Sequence, residues 1–192
     1  MVNSFLKLAA SRRTAYEFSS KPVPYGSIGK ILEAGRWAPS ALNSQPWHFL
    51  VVQNKKAIAA FIASAYYGAF HGEPAAIIAI VLPREVHSGK PHRGIVKGEI
   101  GMGEALLSVA MPAYSMALEA TELRLASCII SLDESLLPAS LGLRQGDSIP
   151  LAIGLGYTVQ SGAKGGTHTR KPMAKIVHRE RFRMNASGKR RG

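Results

Sequence analysis

A single cysteine in 192 residues, Cys128, rules out an intrachain disulfide and agrees with a reducing compartment. Its neighbours in Ala126-Ser127-Cys128-Ile129-Ile130 are largely apolar, so it reads as a buried, inert thiol. Acidic residues are also scarce, 12 against 24 Lys and Arg, for a formal net charge of +12. Long hydrophobic runs are absent. The longest uncharged apolar stretch, Pro74 to Pro83, falls well short of the ~20 residues that span a bilayer. The start, Met1-Val2-Asn3-Ser4-Phe5, has no basic region leading into a long apolar stretch, so no secretion signal and a cytoplasmic location are expected. The histidines at 48, 71, 87, 92, 168 and 178 are scattered without metal-ligand spacing, and no metal site is expected. Neither zinc-finger spacing nor an RNP-type aromatic motif occurs, which argues against specific nucleic-acid binding.

A hydrophobic content of 46% with 19% charged residues reads as globular, and the length suits one domain with its own core. Ten of the 24 lysines and arginines fall from Lys164 onward. The reading is therefore one domain over residues 1–184 and a basic, disordered tail over 185–192. Such a tail attracts nucleic acid or anionic lipid only nonspecifically, and a basic surface helps to gather anionic small molecules.

Helices and short strands alternate. The pattern predicts a helix over 5–11, capped by Asn3 or Ser4, and a turn at Lys21-Pro22-Val23-Pro24-Tyr25-Gly26. Ser27 then caps a helix to about Trp37, with Ile28, Ile31, Leu32 and Gly35 on its inner face. Strands are expected over 47–53, 75–82, 127–131 and 149–157, the second fully buried. Asn54 should cap a helix to about Tyr67, and Asp133 a short one through Leu141. Residues 83–98, rich in Pro, Gly, His and basic side chains, read as a mobile loop or lid. A long helix over 99–124 contains Pro112, which should kink or divide it. Residues 158–172 read as Gly-rich and extended. Together these elements indicate an α+β or α/β layered domain.

Two segments carry chemistry. Ala38-Pro39-Ser40-Ala41-Leu42-Asn43-Ser44-Gln45-Pro46-Trp47-His48-Phe49 sets a serine hydroxyl and two amides in a loop with a proline at each end. Amides and hydroxyls hydrogen-bond in both directions, which suits a planar heterocycle of mixed donors and acceptors. The same residues can also serve the backbone of a turn. Ser11-Arg12-Arg13-Thr14-Ala15-Tyr16-Glu17-Phe18 offers two guanidiniums and a hydroxyl within three residues, and guanidiniums match phosphate oxygens bidentately.

In order and type, Arg12, Thr14, Pro39, Ser40, Asn43, Gln45, Pro46 and Trp47 resemble the two motifs of the FMN-dependent nitroreductase family. Thr169-Arg170-Lys171-Pro172 resembles the basic element that closes its flavin site, and the resemblance runs from about Ser4 to Phe182. It implies a nitroreductase-like α+β fold, with a central mixed β-sheet wrapped by helices, in an intertwined homodimer holding FMN at the subunit interface. It also implies an oxidoreductase that passes hydride from NADH or NADPH through FMN to a nitroaromatic, quinone or activated alkene, in ping-pong fashion. By resemblance, Arg12, Arg13 and Arg170, with His168 beside them, would hold the phosphate. Thr14 belongs to the same motif. Asn43 and Gln45 would serve the ring edge or the ribityl chain. Pro39 and Ser40 would wall the pocket from the partner subunit, and Ala41 is counted with them. The cofactor carries the redox chemistry, so no catalytic side chain is named.

Three positions depart from the family pattern. Tyr16 stands where a second basic residue is frequent. Either Arg13 compensates or Tyr16 contacts the ribityl chain. Ser108 falls where many relatives are acidic, and Arg124 takes a place commonly held by glycine. Two alternatives therefore accompany the main reading: a specialised flavin enzyme of the same fold, and a non-catalytic flavin- or nucleic-acid-binding protein using the basic tail.

Overall fold

The computed structural model describes residues 4–67, 70–87, 92–93, 99–159 and 169–182. In chain order the elements are α1 (Ser4–Ser11), α2 (Tyr25–Arg36), β1 (His48–Val52), α3 (Lys55–Ala63), β2 (Ala76–Leu82) and α4 (Arg84–His87). There follow β3 (His92–Arg93), β4 (Glu99–Ile100), α5 (Met102–Glu122), β5 (Ala126–Ile130), β6 (Ser148–Gly156) and α6 (Met173–Ile176). The tail at 185–192 lies outside the described residues, as do 88–91 and 94–98 of the expected lid and most of 158–172.

Four strands form one sheet in the order β1-β2-β6-β5, and β3 pairs with β4 apart from it. Every ladder of the sheet is antiparallel, from His48 opposite Val81 at one edge to Ile130 opposite Ala152 at the other. Parallel pairing enters as single bridges, Thr14 to Ser127 and Glu17 to His71. The first lays the Arg12–Tyr16 segment along the outer edge of β5, where the N–H of Ala15 donates to the Ser127 carbonyl at 2.9 Å. Between Ile80 and Leu82 the β2–β6 register shifts. Pro150 lies opposite that shift. It has no N–H to give a ladder, and a bulge accommodates it.

The sheet divides the core by strand parity. Ile78 and Ile80 of β2 join Ile153 and Leu155 of β6 against Ile28, Ile31, Val109 and Met116 of α2 and α5. Ile77 and Ala79 face the other way, against Ile58 and Phe61 of α3, with Cys128 and Ile130 of β5. Successive strand residues point to opposite faces, so a strand covered on both must be apolar throughout. All seven residues of β2 are buried. At the α2–α5 crossing, a Cβ on Gly35 would lie 2.9 Å from Met116 Cγ and 3.1 Å from Phe49 Cζ, so close approach requires glycine there.

Several boundaries differ from the sequence expectations. α2 begins at Tyr25, not after Ser27, because Pro24 takes the N-cap position. α3 does begin at Asn54, whose Oδ1 accepts the Ala57 N–H at 3.2 Å, but it ends at Ala63. Beyond it, Ala65 bridges to Leu132 and the N–H of Tyr66 donates to the Ser131 carbonyl, so β-type contacts replace the last helical turn. Pro112 neither divides nor ends α5, which runs unbroken for 21 residues. The lost donor costs about 3 kcal/mol, and the buried face Val109, Pro112, Ala113, Met116, Ala117 and Ala120 offsets it. Asp133 accepts the Ser135 N–H as a cap, yet the stretch to Leu141 is two 3₁₀ turns parted by Leu137-Pro138. The segment after β2 begins with α4 and includes β3 and β4, so it is not all loop.

Arg144 fastens α4. Its Nη1 and Nη2 donate to the two oxygens of Glu85 at 2.8 Å each, and Nη2 also reaches Asp147 Oδ1 at 2.9 Å. The same Oδ1 accepts the backbone N–H of Arg84 at 2.8 Å. Hydrogen bonding from Arg144 brings the Asp147 carboxyl down to about 2 and lowers that of Glu85.

Candidate active site

The loop between α2 and β1 is anchored at its far end by Pro46 and Trp47, both buried, with Trp47 stacked on Phe49. Between these anchors the backbone is unusual. Leu42, Asn43 and Gln45 all have positive φ, at 51°, 49° and 45°. Asparagine tolerates this region, but leucine and glutamine do so at a cost, and such strain persists only where the surroundings enforce it. The enforcing contacts are local and long-range. Ser40 Oγ accepts the N–H of Gln45 at 2.9 Å, closing the loop on itself. Ser108 Oγ, on α5, accepts the N–H of Ala41 at 3.3 Å and donates to the Glu104 carbonyl at 2.6 Å.

These bonds settle part of the choice between turn and ligand. Ser40 uses one lone pair on the turn, and its O–H has no partner among the described residues. The amides are divided differently. Gln45 Nε2 donates to Asn43 Oδ1 at 3.2 Å, so the pair is held together and both residues keep unused capacity. Asn43 Nδ2 and Gln45 Oε1 have no partner among the described residues, which leaves one donor and one acceptor side by side. Asn43 is exposed and Gln45 half-buried. Ser44 Oγ is buried beneath them with no hydrogen-bond partner among the described residues. A cavity of about 200 Å³ opens against the loop, lined by Pro39, Ser40, Ala41, Leu107, Ser108 and Met111, with Glu104 at its rim.

The second predicted set sits on β5's outer edge. Arg12, half-buried, donates from Nη1 to Thr14 Oγ1 at 3.4 Å. Its charge also pulls on the Cys128 thiol, which burial nevertheless pushes up to about 11. That agrees with an inert cysteine. Arg13 turns away: its Nη1 donates to the carbonyls of Ala10 and Arg12, at the end of α1. Tyr16 is 40% exposed and meets the Phe70 ring edge-on at 5.5 Å between centroids, while its carbonyl accepts the His71 N–H at 2.7 Å.

The structure brings Pro39, Ser40, Ala41, Asn43 and Gln45 together at one place, and Arg12, Thr14 and Tyr16 at another. Among the described residues no hydrogen bond joins the two sets. One loop leads into β1 and the other segment flanks β5, which are opposite edges of a four-stranded sheet. With strands spaced about 4.8 Å apart, that is roughly 14 Å across the sheet alone. Arg170 is exposed, just ahead of α6, and His168 lies outside the described residues. Sequence reasoning missed Glu104, Phe70 and the way Ser108 pins Ala41. Phe70 meets Tyr16, and Ser108 meets Ala41, across long sequence separations that no motif marks, while Glu104 bonds Gly101 and Ser108 on its own helix.

Comparison with known proteins bears on what this arrangement does. The sequence model described as the Nitroreductase family matches residues 9–157. An NADH dehydrogenase of Thermus thermophilus is 27% identical over 193 residues, covering 88% of this chain and 92% of that protein. A 4-nitrobenzoate reductase of Pseudomonas putida is 31% identical over 105 residues, 54% of this chain and 44% of its own. The crystal structure of a nitroreductase-like protein from Desulfovibrio desulfuricans, in complex with FMN, superposes with a TM-score of 0.75 at 26% identity. That superposition covers 95% of this chain and 99% of the other.

Proposed function

This chain belongs to the nitroreductase family and is an NAD(P)H oxidoreductase, and we propose that it binds FMN and passes hydride from NADH or NADPH to an electron-poor acceptor. Nitroaromatics, quinones and activated alkenes are the acceptor class. Donor and acceptor use one face in turn, which is a ping-pong scheme. The observation that carries this reading is the strained loop, in which Asn43 and Gln45 are locked together with one donor and one acceptor left over.

The residues present fit FMN by their chemistry. The Asn43 donor and the Gln45 acceptor match a ring edge of carbonyls and N–H. Guanidiniums match a dianionic phosphate, and Arg12, Arg13 and Arg170 offer three, with Arg13 turned away from Arg12. The cavity at the loop is too small for such a ligand, since pockets for molecules of that size run to about 300–1,000 Å³. Each subunit in this reading supplies half a site: Pro39 to Gln45 from one, Arg12 to Tyr16 from the other. A homodimer joins them. Its surface has support in exposed apolar side chains at helical spacing on α5, where Leu107 is 71% exposed and is followed by Met111 and Tyr114.

When bound, FMN supplies the hydride chemistry. This chain's part is electrostatic and geometric. A guanidinium from Arg12 or Arg13 near the ring would favour the reduced, negatively charged form and raise its potential. The loop's fixed amides orient the ring, and Leu107 and Met111 exclude water from its edge. Among the described residues no helix is long and apolar enough to cross a membrane. We place the protein in the cytoplasm, as a domain over residues 1–184 with a solvated tail.

The visible spectrum of the purified protein, before and after anaerobic NADH or NADPH, tests the proposal. A yellow protein that bleaches, and recovers with a nitroaromatic or quinone, is the expected result. Protein that takes up no flavin even from excess FMN would sink it.

A further inference from the structure

Arg124 turns the chain from α5 into β5, and it does so in the left-handed region, at φ 58°. Its N–H donates to the Thr121 carbonyl at 3.0 Å, and the N–H of Leu125 to the Ala120 carbonyl at 2.8 Å. This paired closure ends helices at a left-handed residue, usually glycine. Arginine is held there at a cost of about 1 kcal/mol, so the side chain has a use that the turn alone does not require.

That side chain lines a cleft of about 370 Å³, with Arg13 as a second cation and hydroxyls from Ser11, Thr14, Thr121 and Tyr157. No Asp or Glu lines it. Arg124's guanidinium makes no hydrogen bond or ion pair among the described residues. Arg13 bonds backbone carbonyls through Nη1 only, so its Nε and Nη2 have no partner among them either. Lys21 adds a third positive charge, its Nζ 4.3 Å from the centre of the Tyr157 ring. α1 and α5 both end here, and each helix C-terminus contributes about half a negative charge. Two guanidiniums and an ammonium exceed those two halves, and the cleft is net positive. Arg12 is not among its lining residues. The adjacent arginines therefore serve different places.

We propose that this cleft is a phosphate-monoester site, in which Arg13 and Arg124 grip the dianion from two sides within reach of the Thr14 hydroxyl, whose oxygen accepts from Arg12 and whose proton is left to donate. Two ligands of the proposed reaction carry such a group, FMN at its ribityl end and NADPH at its 2′ position. The phosphate site stands without the redox reading; only the identity of the bearer rests on it.

Arg124→Gly is the natural test, because it removes the charge and relieves the left-handed strain together. Arg13→Gln is the second variant. Inorganic phosphate is titrated into each by calorimetry, and FMN, riboflavin, NADPH and NADH are then titrated by fluorescence. Phosphate should bind the unaltered protein, more tightly as pH rises and the dianion replaces the monoanion, and at least tenfold more weakly after either substitution. A loss for FMN with riboflavin unchanged assigns the site to the flavin. A loss for NADPH with NADH unchanged assigns it to the donor. Unchanged affinities for phosphate and all four ligands in both variants would overturn the proposal and leave the arginines as helix caps. Failure of the redox reading would look different: flavin that NAD(P)H never bleaches, beside an intact phosphate isotherm.

Discussion

The hydroxyl of Ser108 accepts the backbone N–H of Ala41, 67 residues earlier in the chain, and so pins the strained loop to the second turn of α5. The same oxygen donates to the Glu104 carbonyl one turn back, an arrangement that fixes its rotamer. Ser108 is a positioning residue on this evidence. Replacing it with alanine leaves a partly buried N–H without a partner, at about 1–2 kcal/mol. Urea unfolding of Ser108→Ala should show that loss, and FMN affinity should fall with it. Unchanged affinity at lowered stability would mean that the pin matters to the fold alone.

Asn43 allows the backbone and the amide to be separated. Glycine takes φ 49° without strain, so Asn43→Gly keeps the loop's path while deleting the Nδ2 donor and the acceptor for Gln45. Flavin affinity should drop about tenfold, the worth of one hydrogen bond made in a pocket. Asn43→Ala should drop further, since it adds strain. If the glycine variant binds flavin as the parent does, the amide serves the turn and nothing else.

Leu107 tests the assembly. At 71% exposure it contributes little to its own subunit, so Leu107→Glu should leave the secondary structure and the thermal midpoint of an isolated subunit intact. Light scattering should show dimer passing to monomer, with flavin lost in parallel. Retention of flavin by a monomer would place all of the contacts within one chain.

Acid stability has a defined source at Arg144. Hydrogen bonds from this guanidinium bring Asp147 down to about 2, below the usual range near 3.9, and lower Glu85 as well. A folded carboxylate of lowered pKa binds its proton less tightly than the unfolded one. The stabilisation is therefore complete above pH ~4 and is lost as pH falls toward about 2. Circular dichroism between pH 5 and 2 should show an acid transition that Arg144→Gln moves to higher pH. These side chains are largely solvent-accessible apart from Asp147, so high salt should narrow the difference.

Most of the secondary structure was legible because its signals are local. The buried run of β2, the inner face of α2 and the Asn54 cap each follow from a few neighbouring residues. Errors arose where tertiary contacts compete with local preference. α3 stops early because Tyr66 finds the Ser131 carbonyl, and α5 survives Pro112 because its buried face holds it. At the candidate site, motif order singled out one loop and one segment, and each holds its residues together in the structure. Adjacency implies that Arg12 and Arg13 diverge, but it did not show where Arg13 goes, or that Ser40 accepts from its own turn. Those facts depend on side-chain direction, which no spacing encodes.

The single bridge between Thr14 and Ser127 has a consequence for synthesis. Its two halves lie 113 residues apart in the chain, so the first-made segment waits unpaired until β5 has left the ribosome. Contacts of such long sequence separation form late, because loop closure must precede any gain from pairing. The arginines on that segment have no framework until then. A nascent or truncated chain ending before β5 will therefore present an open strand edge and no organised cation cluster, and loading with an anionic cofactor becomes one of the last events of folding.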